Sequence, residues 1–187
     1  MTHKGTITLE TERLILRRFE LTDAEAMFRN WANNNDKIAA FLNYQSDGSF
    51  ADINYWISEY SDNSRYCWAI VLKSIGEPIG YINAHDIDEF VDMAEIGYAI
   101  GEKFCHKGIA TEAANAVIKF FFEEVGAAKI TAKHRPTNSR SGGVMTNAGM
   151  KFLGVRRNAH RAENVGTDLN LYAILAEDYF NPNNQPN

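Results

Sequence analysis

The stretch from Met93 to Lys133 constrains this chain most. Met93 to Ile100 reads as a strand, and from Gly108 the apolar residues Ala110, Ala113, Ala114, Val117, Ile118, Phe121 and Val125 recur at helical spacing until Gly126. Lys129 to Lys133 reads as a strand again. Two strands joined by a helix of this length are expected to be parallel neighbours in one sheet, because a parallel pair needs a crossover and cannot be closed by a tight turn. The class expected from this unit is α/β.

The remaining patterns supply neighbours for that sheet. Arg13 to Phe19 alternates as a strand does, and Thr22-Asp23-Ala24-Glu25 reads as a capping box opening a helix with Ala24, Met27, Phe28 and Trp31 on one face. A second helix follows Ser49, carried by Ile53, Trp56, Ile57 and Tyr60, with a short helical turn around Lys37 to Leu42 before it. Tyr66 to Leu72, Ile79 to His85 and Met93 to Ile100 are strand-like runs separated by Ile75-Gly76-Glu77-Pro78 and by the acidic stretch Asp86 to Asp92, the pattern of an antiparallel meander. Ser139 to Asn147 reads as a short helix stopped near Gly149, and Met150 to Val155 and Leu169 to Leu175 as the last strands. The expected order is β-α-α-β-β-β-α-β-α-β-β in a single domain over residues 7–180. A polar, proline-punctuated tail from Asn181 to Asn187 is expected to be disordered.

Composition narrows the function classes. Of 187 residues 45% are hydrophobic, enough to close a core without disulfides or structural metal. The 19 Lys and Arg against 24 Asp and Glu give a net charge of -5, the wrong sign for a dedicated nucleic-acid binder. No apolar run of about 18 residues and no secretory h-region occurs, so neither membrane spanning nor export is expected. Cys67 and Cys105 are too few for a disulfide framework, which points to the cytoplasm. Asp86, Asp88, Glu89 and Asp92 lack the spacing of a calcium loop, and the histidines at 3, 85, 106, 134 and 160 show no zinc pattern, so no metal is expected. Walker A, the dinucleotide fingerprint and the nucleophile elbow of hydrolases are all missing.

Chemistry concentrates between Glu95 and Ala113. Backbone N–H groups at Lys107, Gly108, Ile109 and Ala110 would project from a helix N-terminus, where the macrodipole also favours an anion, and would cradle a phosphate. Gly108 lets the phosphate approach, small Ala110 lets the loop pack, and His106 or Lys107 could add a charge-assisted contact. A glycine also begins many helices that bind nothing, and spacing alone leaves both readings open.

The segment Cys105-His106-Lys107-Gly108-Ile109-Ala110 resembles the Gln/Arg-x-x-Gly-x-Gly/Ala acetyl-CoA loop of the GCN5-related N-acetyltransferase (GNAT) superfamily. Thr11-Glu12-Arg13-Leu14-Ile15-Leu16-Arg17, Ala94 to Tyr98, Gly108 to Ala113, and Asn138-x-x-Ser141 with Asn147-Ala148-Gly149-Met150 resemble the branch holding the ribosomal-protein alanine acetyltransferases, over about Leu9 to Tyr179. The resemblance implies that family's mixed, splayed sheet of six to seven strands with about four helices. It also implies acetyl-CoA as cosubstrate, lying between the strand Glu95 to Ile100 and the strand Lys129 to Lys133. By resemblance the backbone of Tyr98, Ala99 and Ile100 holds the pantetheine amides and thioester oxygen, residues Cys105 to Thr111 hold the pyrophosphate, and Asn138 contacts the pantetheine arm. Cys105 and His106 depart from the usual loop residues, which are commonly Gln or Arg and, in this branch, Gly. Met145 stands where many members carry a tyrosine acid, and Gly142-Gly143 should loosen the short helix by about 1 kcal/mol each.

Transfer to an amine needs a base, an oxyanion site and a proton for the leaving thiolate, with no covalent enzyme intermediate. Glu95 is the candidate base, its other reading being a solvated or ion-paired strand carboxylate. Ser141 is the candidate partner of the sulfur, and it and Asn138 also fit an ordinary helix cap. Trp31, Tyr44, Tyr81 and His85 could line the acceptor side, although such aromatics more often belong to a core or its rim. The expected activity is acetyl-CoA-dependent N-acetylation of a primary amine, with a protein N-terminal α-amino group ahead of a small amine such as an aminoglycoside, polyamine or amino acid. A non-catalytic acetyl-CoA-binding module is the alternative of another class.

Overall fold

In the computed structural model of the chain, residues 1–32, 50–61, 65–162 and 165–181 are described. The helical turn expected around Lys37 to Leu42 and the tail beyond Asn181 lie outside them. The strands are β1 (Leu9–Glu10), β2 (Leu14–Arg17), β3 (Tyr66–Leu72), β4 (Glu77–Asp88), β5 (Met93–Ile100), β6 (Lys129–His134), β7 (Lys151–Ala162) and β8 (Val165–Leu175). The helices are α1 (Ala24–Met27), α2 (Phe50–Tyr60), α3 (Ile109–Phe120), α4 (Ser139–Asn147) and α5 (Ala176–Phe180). Hydrogen bonding orders the strands β1-β2-β3-β4-β5-β6-β8-β7. The β5–β6 pair is parallel, with Met93 opposite Lys129 and Glu95 opposite Thr131. The long helix between them is thus the crossover that the sequence demands.

Among the described residues eight strands replace the six to seven expected, and two short elements account for the differences at the ends. β1 is two residues paired with Ile15 and Leu16, too short to show alternation, and α5 is a five-residue helix, too short to show a period. Among the described residues no helix is long and apolar enough to cross a membrane. The chain forms two compact units, Lys4–Asn83 with Tyr98–Ala113, and Met1–His3 and Ala84–Gly97 with Ala114–Asn187.

In the first unit β2 pairs antiparallel with both β1 and β3, and Phe19, Met27, Trp31, Ile53, Ile57, Cys67, Ala69, Val71 and Tyr81 form one buried cluster. The first helix starts differently from the Thr22 to Glu25 box. A 3-10 turn over Leu21–Asp23 precedes α1, and the reciprocal cap is Glu20 with Asp23, whose carboxylate accepts the Glu20 N–H at 2.9 Å. Asp23 is chosen because Arg17 on β2 grips it with two nitrogens at 2.7 Å each, which lets a carboxylate be buried at this point.

In the second unit Ala114, Val117, Ile118, Phe121 and Val125 are buried as their spacing foretold, and Phe122 is buried beside them. The last five residues widen into a π-helical turn, Phe121–Val125, and Gly126 at φ 79° ends it in the left-handed conformation. β6 pairs antiparallel with β8, and β8 with β7. Gly142 has a packing role in α4. A Cβ there would lie 2.9 Å from His134 Nε2 and 3.3 Å from the Tyr172 hydroxyl, so the missing side chain lets the helix seat on a buried histidine. Gly143 meets nothing within 4 Å.

The two glycines should therefore respond oppositely to alanine. Gly143→Ala is expected to stabilise by about 0.5–1 kcal/mol. Gly142→Ala is expected to destabilise by about 1–3 kcal/mol through overpacking. Urea denaturation of both variants checks this; two stabilising outcomes would remove the role given to His134.

Candidate functional site

In the first unit the path from β5 into α3 is clamped by close backbone approach. A Cβ on Gly80 would meet the Ala99 carbonyl oxygen at 2.2 Å, and one on Gly101 would meet that of Asn30 at 1.9 Å. The buried Asn30 amide donates to Glu77 Oε2 at 2.9 Å and to the Pro78 carbonyl at 3.1 Å, while its oxygen accepts from Lys103 Nζ at 2.8 Å. A 3-10 turn over Glu102–Phe104 follows, then the exposed residues His106, Lys107 and Gly108. His106 has φ 61° and Gly108 φ 75°, both left-handed. The branch resemblance puts glycine at 106, and this chain bends a histidine into that conformation instead. The first intrahelical bond runs from Glu112 N–H to the Gly108 carbonyl at 3.0 Å, so the N–H groups of Ile109, Ala110 and Thr111 precede the ladder. Tyr98, Ile109 and Ala110 are buried, Ala99, Ile100, Cys105 and Thr111 half-buried. The ammonium groups of Lys103 and Lys107 lie 5.0 and 5.9 Å from the centre of the Phe104 ring. An exposed, left-handed loop feeding an open helix N-terminus suits an anion such as a pyrophosphate.

Glu112, in the first turn of α3, reaches back to the start of β2. Its Oε1 accepts from Thr11 Oγ1 at 2.5 Å and from the Arg13 N–H at 2.9 Å, and its Oε2 from Arg13 Nε at 2.6 Å. Arg13 Nη1 donates to the Lys107 carbonyl at 2.8 Å. Burial pushes the Glu112 carboxyl up, but the bonds from Thr11 and Arg13 outweigh it and hold it below its ordinary value.

In the second unit Glu95 is mostly buried and lies 2.7 Å from Lys133 Nζ and 3.1 Å from His85 Nε2. Asp86 stands 3.6 Å from the same Lys133 ammonium. Burial raises the Glu95 carboxyl, and the bonds from His85 and Lys133 outweigh it, so the net shift is downward. Because the folded value is the lower one, this carboxylate stabilises the fold above its unfolded pKa, and the contribution fades as pH falls toward the folded one. His85, Asp86 and Glu95 offer oxygens and a nitrogen within 4.8 Å of one another, but Lys133 already supplies the cation that such a cluster attracts. His85 Nδ1 is buried without a hydrogen-bond partner among the described residues.

Elsewhere in this unit Asn138 caps α4, its side chain accepting from the Ser141 N–H at 3.4 Å, and both residues are half-buried. Met145 is buried and fills core volume. His134 holds the Arg135 carbonyl at 2.8 Å through Nδ1.

Of the residues expected on the acceptor side, Trp31 and Tyr81 are core aromatics in the first unit, packed on Trp56 at 5.8 and 5.0 Å. Desolvation pushes the Tyr81 hydroxyl well above its usual range. Packing of the two rings on Trp56 is the reason they turn inward rather than toward an acceptor. Tyr44 lies outside the described residues. Arg13, Asn30, Gly80 and Gly101 carried no local signal of a role, since each acts on a partner far away in sequence.

Residues 13–151 match the acetyltransferase (GNAT) domain family. An uncharacterized N-acetyltransferase, p20 of Bacillus licheniformis, is 30% identical over 176 residues, covering 92% of this chain and 98% of that protein. YdaF of Bacillus subtilis, named as a candidate ribosomal N-acetyltransferase, is 26% identical over 90% of this chain and 94% of that one. A solved GNAT-family acetyltransferase from Bacillus anthracis aligns with a TM-score of 0.79 at 28% identity, over 91% of this chain and 99% of its own.

Replacing His106 by glycine should relieve the left-handed strain. We expect a gain of up to about 1 kcal/mol, the glycine's greater unfolded-state freedom cancelling part of the relief. Thermal unfolding measures it, and a lowered midpoint would mean that the imidazole makes a compensating contact.

Proposed function

We propose, because this chain belongs to the acetyltransferase (GNAT) domain family and is an acetyl-CoA-dependent N-acetyltransferase, that its acceptor is a protein N-terminal α-amino group. The observation that carries this reading is the Glu95 carboxylate held between Lys133 and His85. A carboxylate kept below its ordinary pKa is a weak base, suited to an ammonium that gives up its proton easily. An α-amino group, at a pKa of roughly 7.7–8.0, is about 3.5 kcal/mol easier to deprotonate than a lysine side chain near 10.4. The likeness to YdaF, with its ribosomal name, supports the same acceptor. The acidic turn gives little support to a polycationic small molecule, because Asp86 faces Lys133 and Glu89 faces His3 at 3.3 Å.

In this mechanism Glu95 takes the proton of the acceptor ammonium through a water, and His85 and Lys133 hold the carboxylate in place. The freed amine forms a C–N bond to the thioester carbonyl carbon as the C–S bond breaks, and the second proton that its nitrogen sheds goes to the departing thiolate. The N–H groups of Tyr98, Ala99 and Ile100 hold the thioester oxygen and the pantetheine amides. Ser141 donates a hydrogen bond to the departing sulfur, a thiolate whose conjugate acid near pKa 8.5 makes it a fair leaving group. The N–H groups that begin α3 hold the pyrophosphate, and Asn138 the pantetheine arm. A cytoplasmic location belongs to the same reading, supported by two cysteines that form no disulfide.

Coenzyme A release against Ala- and Ser-starting peptides, polyamines and aminoglycosides tests the acceptor, and turnover confined to a small amine would sink the N-terminal reading. Glu95→Gln should lower kcat roughly 10- to 100-fold with the KM for acetyl-CoA nearly unchanged. An unchanged kcat would remove Glu95 from the chemistry. Lys133→Gln takes away a bond that lowers the Glu95 pKa, so the acid limb of the kcat/KM profile should move to higher pH.

A further inference from the structure

We propose that Arg13 is a contact residue for the pyrophosphate of acetyl-CoA, and that Thr11 and Glu112 position it. The proposal rests on the reading of the loop before α3 as the pyrophosphate cradle. The guanidinium of Arg13 spends Nε on Glu112 and Nη1 on the Lys107 carbonyl, so it is fixed both to the helix and to the loop. Its Nη2 lies 3.5 Å from where a Cβ on Gly108 would stand, and makes no hydrogen bond among the described residues. The donors left over therefore face the one loop position with no side chain to fill the space in front of them. The side chain is still 44% exposed. Holding an exposed arginine in one geometry gives up about 2 kcal/mol of rotamer freedom, and a lone surface ion pair returns little of it.

Electrostatics favours the same assignment. A helix start that receives a diphosphate should not carry an unneutralised carboxylate, yet Glu112 sits in the first turn of α3. Its two oxygens accept three hydrogen bonds from Thr11 and Arg13, and the guanidinium balances its charge. The loop thus keeps the positive field of the N–H groups at Ile109 to Thr111, and adds a planar donor to it. Arginine suits a phosphate because its fork matches two oxygens at once.

The experiment compares the full-length protein with Arg13→Gln, Arg13→Lys, Glu112→Gln, the double Gln variant and Gly108→Glu. Acetyl-CoA affinity is read by calorimetry, and turnover is read with both acetyl-CoA and S-acetylpantetheine, which has the thioester and arm but no pyrophosphate. Arg13→Gln should weaken acetyl-CoA binding roughly 10- to 100-fold, and the preference in kcat/KM for acetyl-CoA over S-acetylpantetheine should fall by the same factor. Arg13→Lys keeps the charge without the fork and should recover only part of the loss. Glu112→Gln should weaken binding less, and the double variant should be no worse than Arg13→Gln, since Glu112 acts through Arg13. Wild-type affinity in Arg13→Gln, or an equal loss with both donors, overturns the role of Arg13. Should Arg13→Gln fail to fold, Arg13→Lys decides by the same two readouts. Retained affinity in Gly108→Glu overturns the cradle itself, whereas its loss there with wild-type affinity in Arg13→Gln overturns Arg13 alone.

Discussion

The parallel pairing of β5 with β6 is the constraint on which the rest of this chain depends. A parallel pair cannot be closed by a hairpin, so the chain leaving Ile100 must depart from the sheet and return as a helix. That departure puts a helix N-terminus just past the carboxyl end of a strand, with N–H groups that have no partner inside the helix. The glycines follow from the same geometry. Gly80 and Gly101 remove side chains where backbones press together, and Gly108 takes the left-handed turn into α3.

Charge is handled in one manner throughout. Asp23, Glu95 and Glu112 are carboxylates withdrawn from water, and each is held by a cation that comes from another element of its own unit. A buried carboxylate without such a partner is costly to keep charged. At Glu95 and Glu112 the pairing holds the carboxyl below its ordinary value against the opposing pull of burial. The pairing also makes each group directional. A carboxylate fixed between two donors offers its remaining lone pairs along few directions.

Much of this was legible from the order of residues. The apolar stripe from Ala110 to Val125 and its stop at Gly126 are local signals, and the crossover followed from them. The residues from Cys105 to Thr111 are contiguous, so a motif carries them together. What escaped was long-range. Arg13 and Glu112 are 99 positions apart, and nothing near either says that one will hold the other. Gly142 reads as a weak helix residue until His134, on another element, is seen to occupy the space its side chain would take. The first helix cap shifted from Thr22 to Glu20 for a like reason, since Arg17 chose which carboxylate would be used.

By itself the amino-acid order determined the α/β class, the crossover and the family, because period, glycine placement and contiguous motifs are properties of neighbours along the chain. Only the tertiary structure decided that Trp31 and Tyr81 belong to a core, that Glu95 is held between His85 and Lys133, and that Arg13 faces Gly108. These depend on which distant side chains meet within hydrogen-bonding or packing distance. That is settled when strands take their register and helices seat upon them, and no local pattern encodes it.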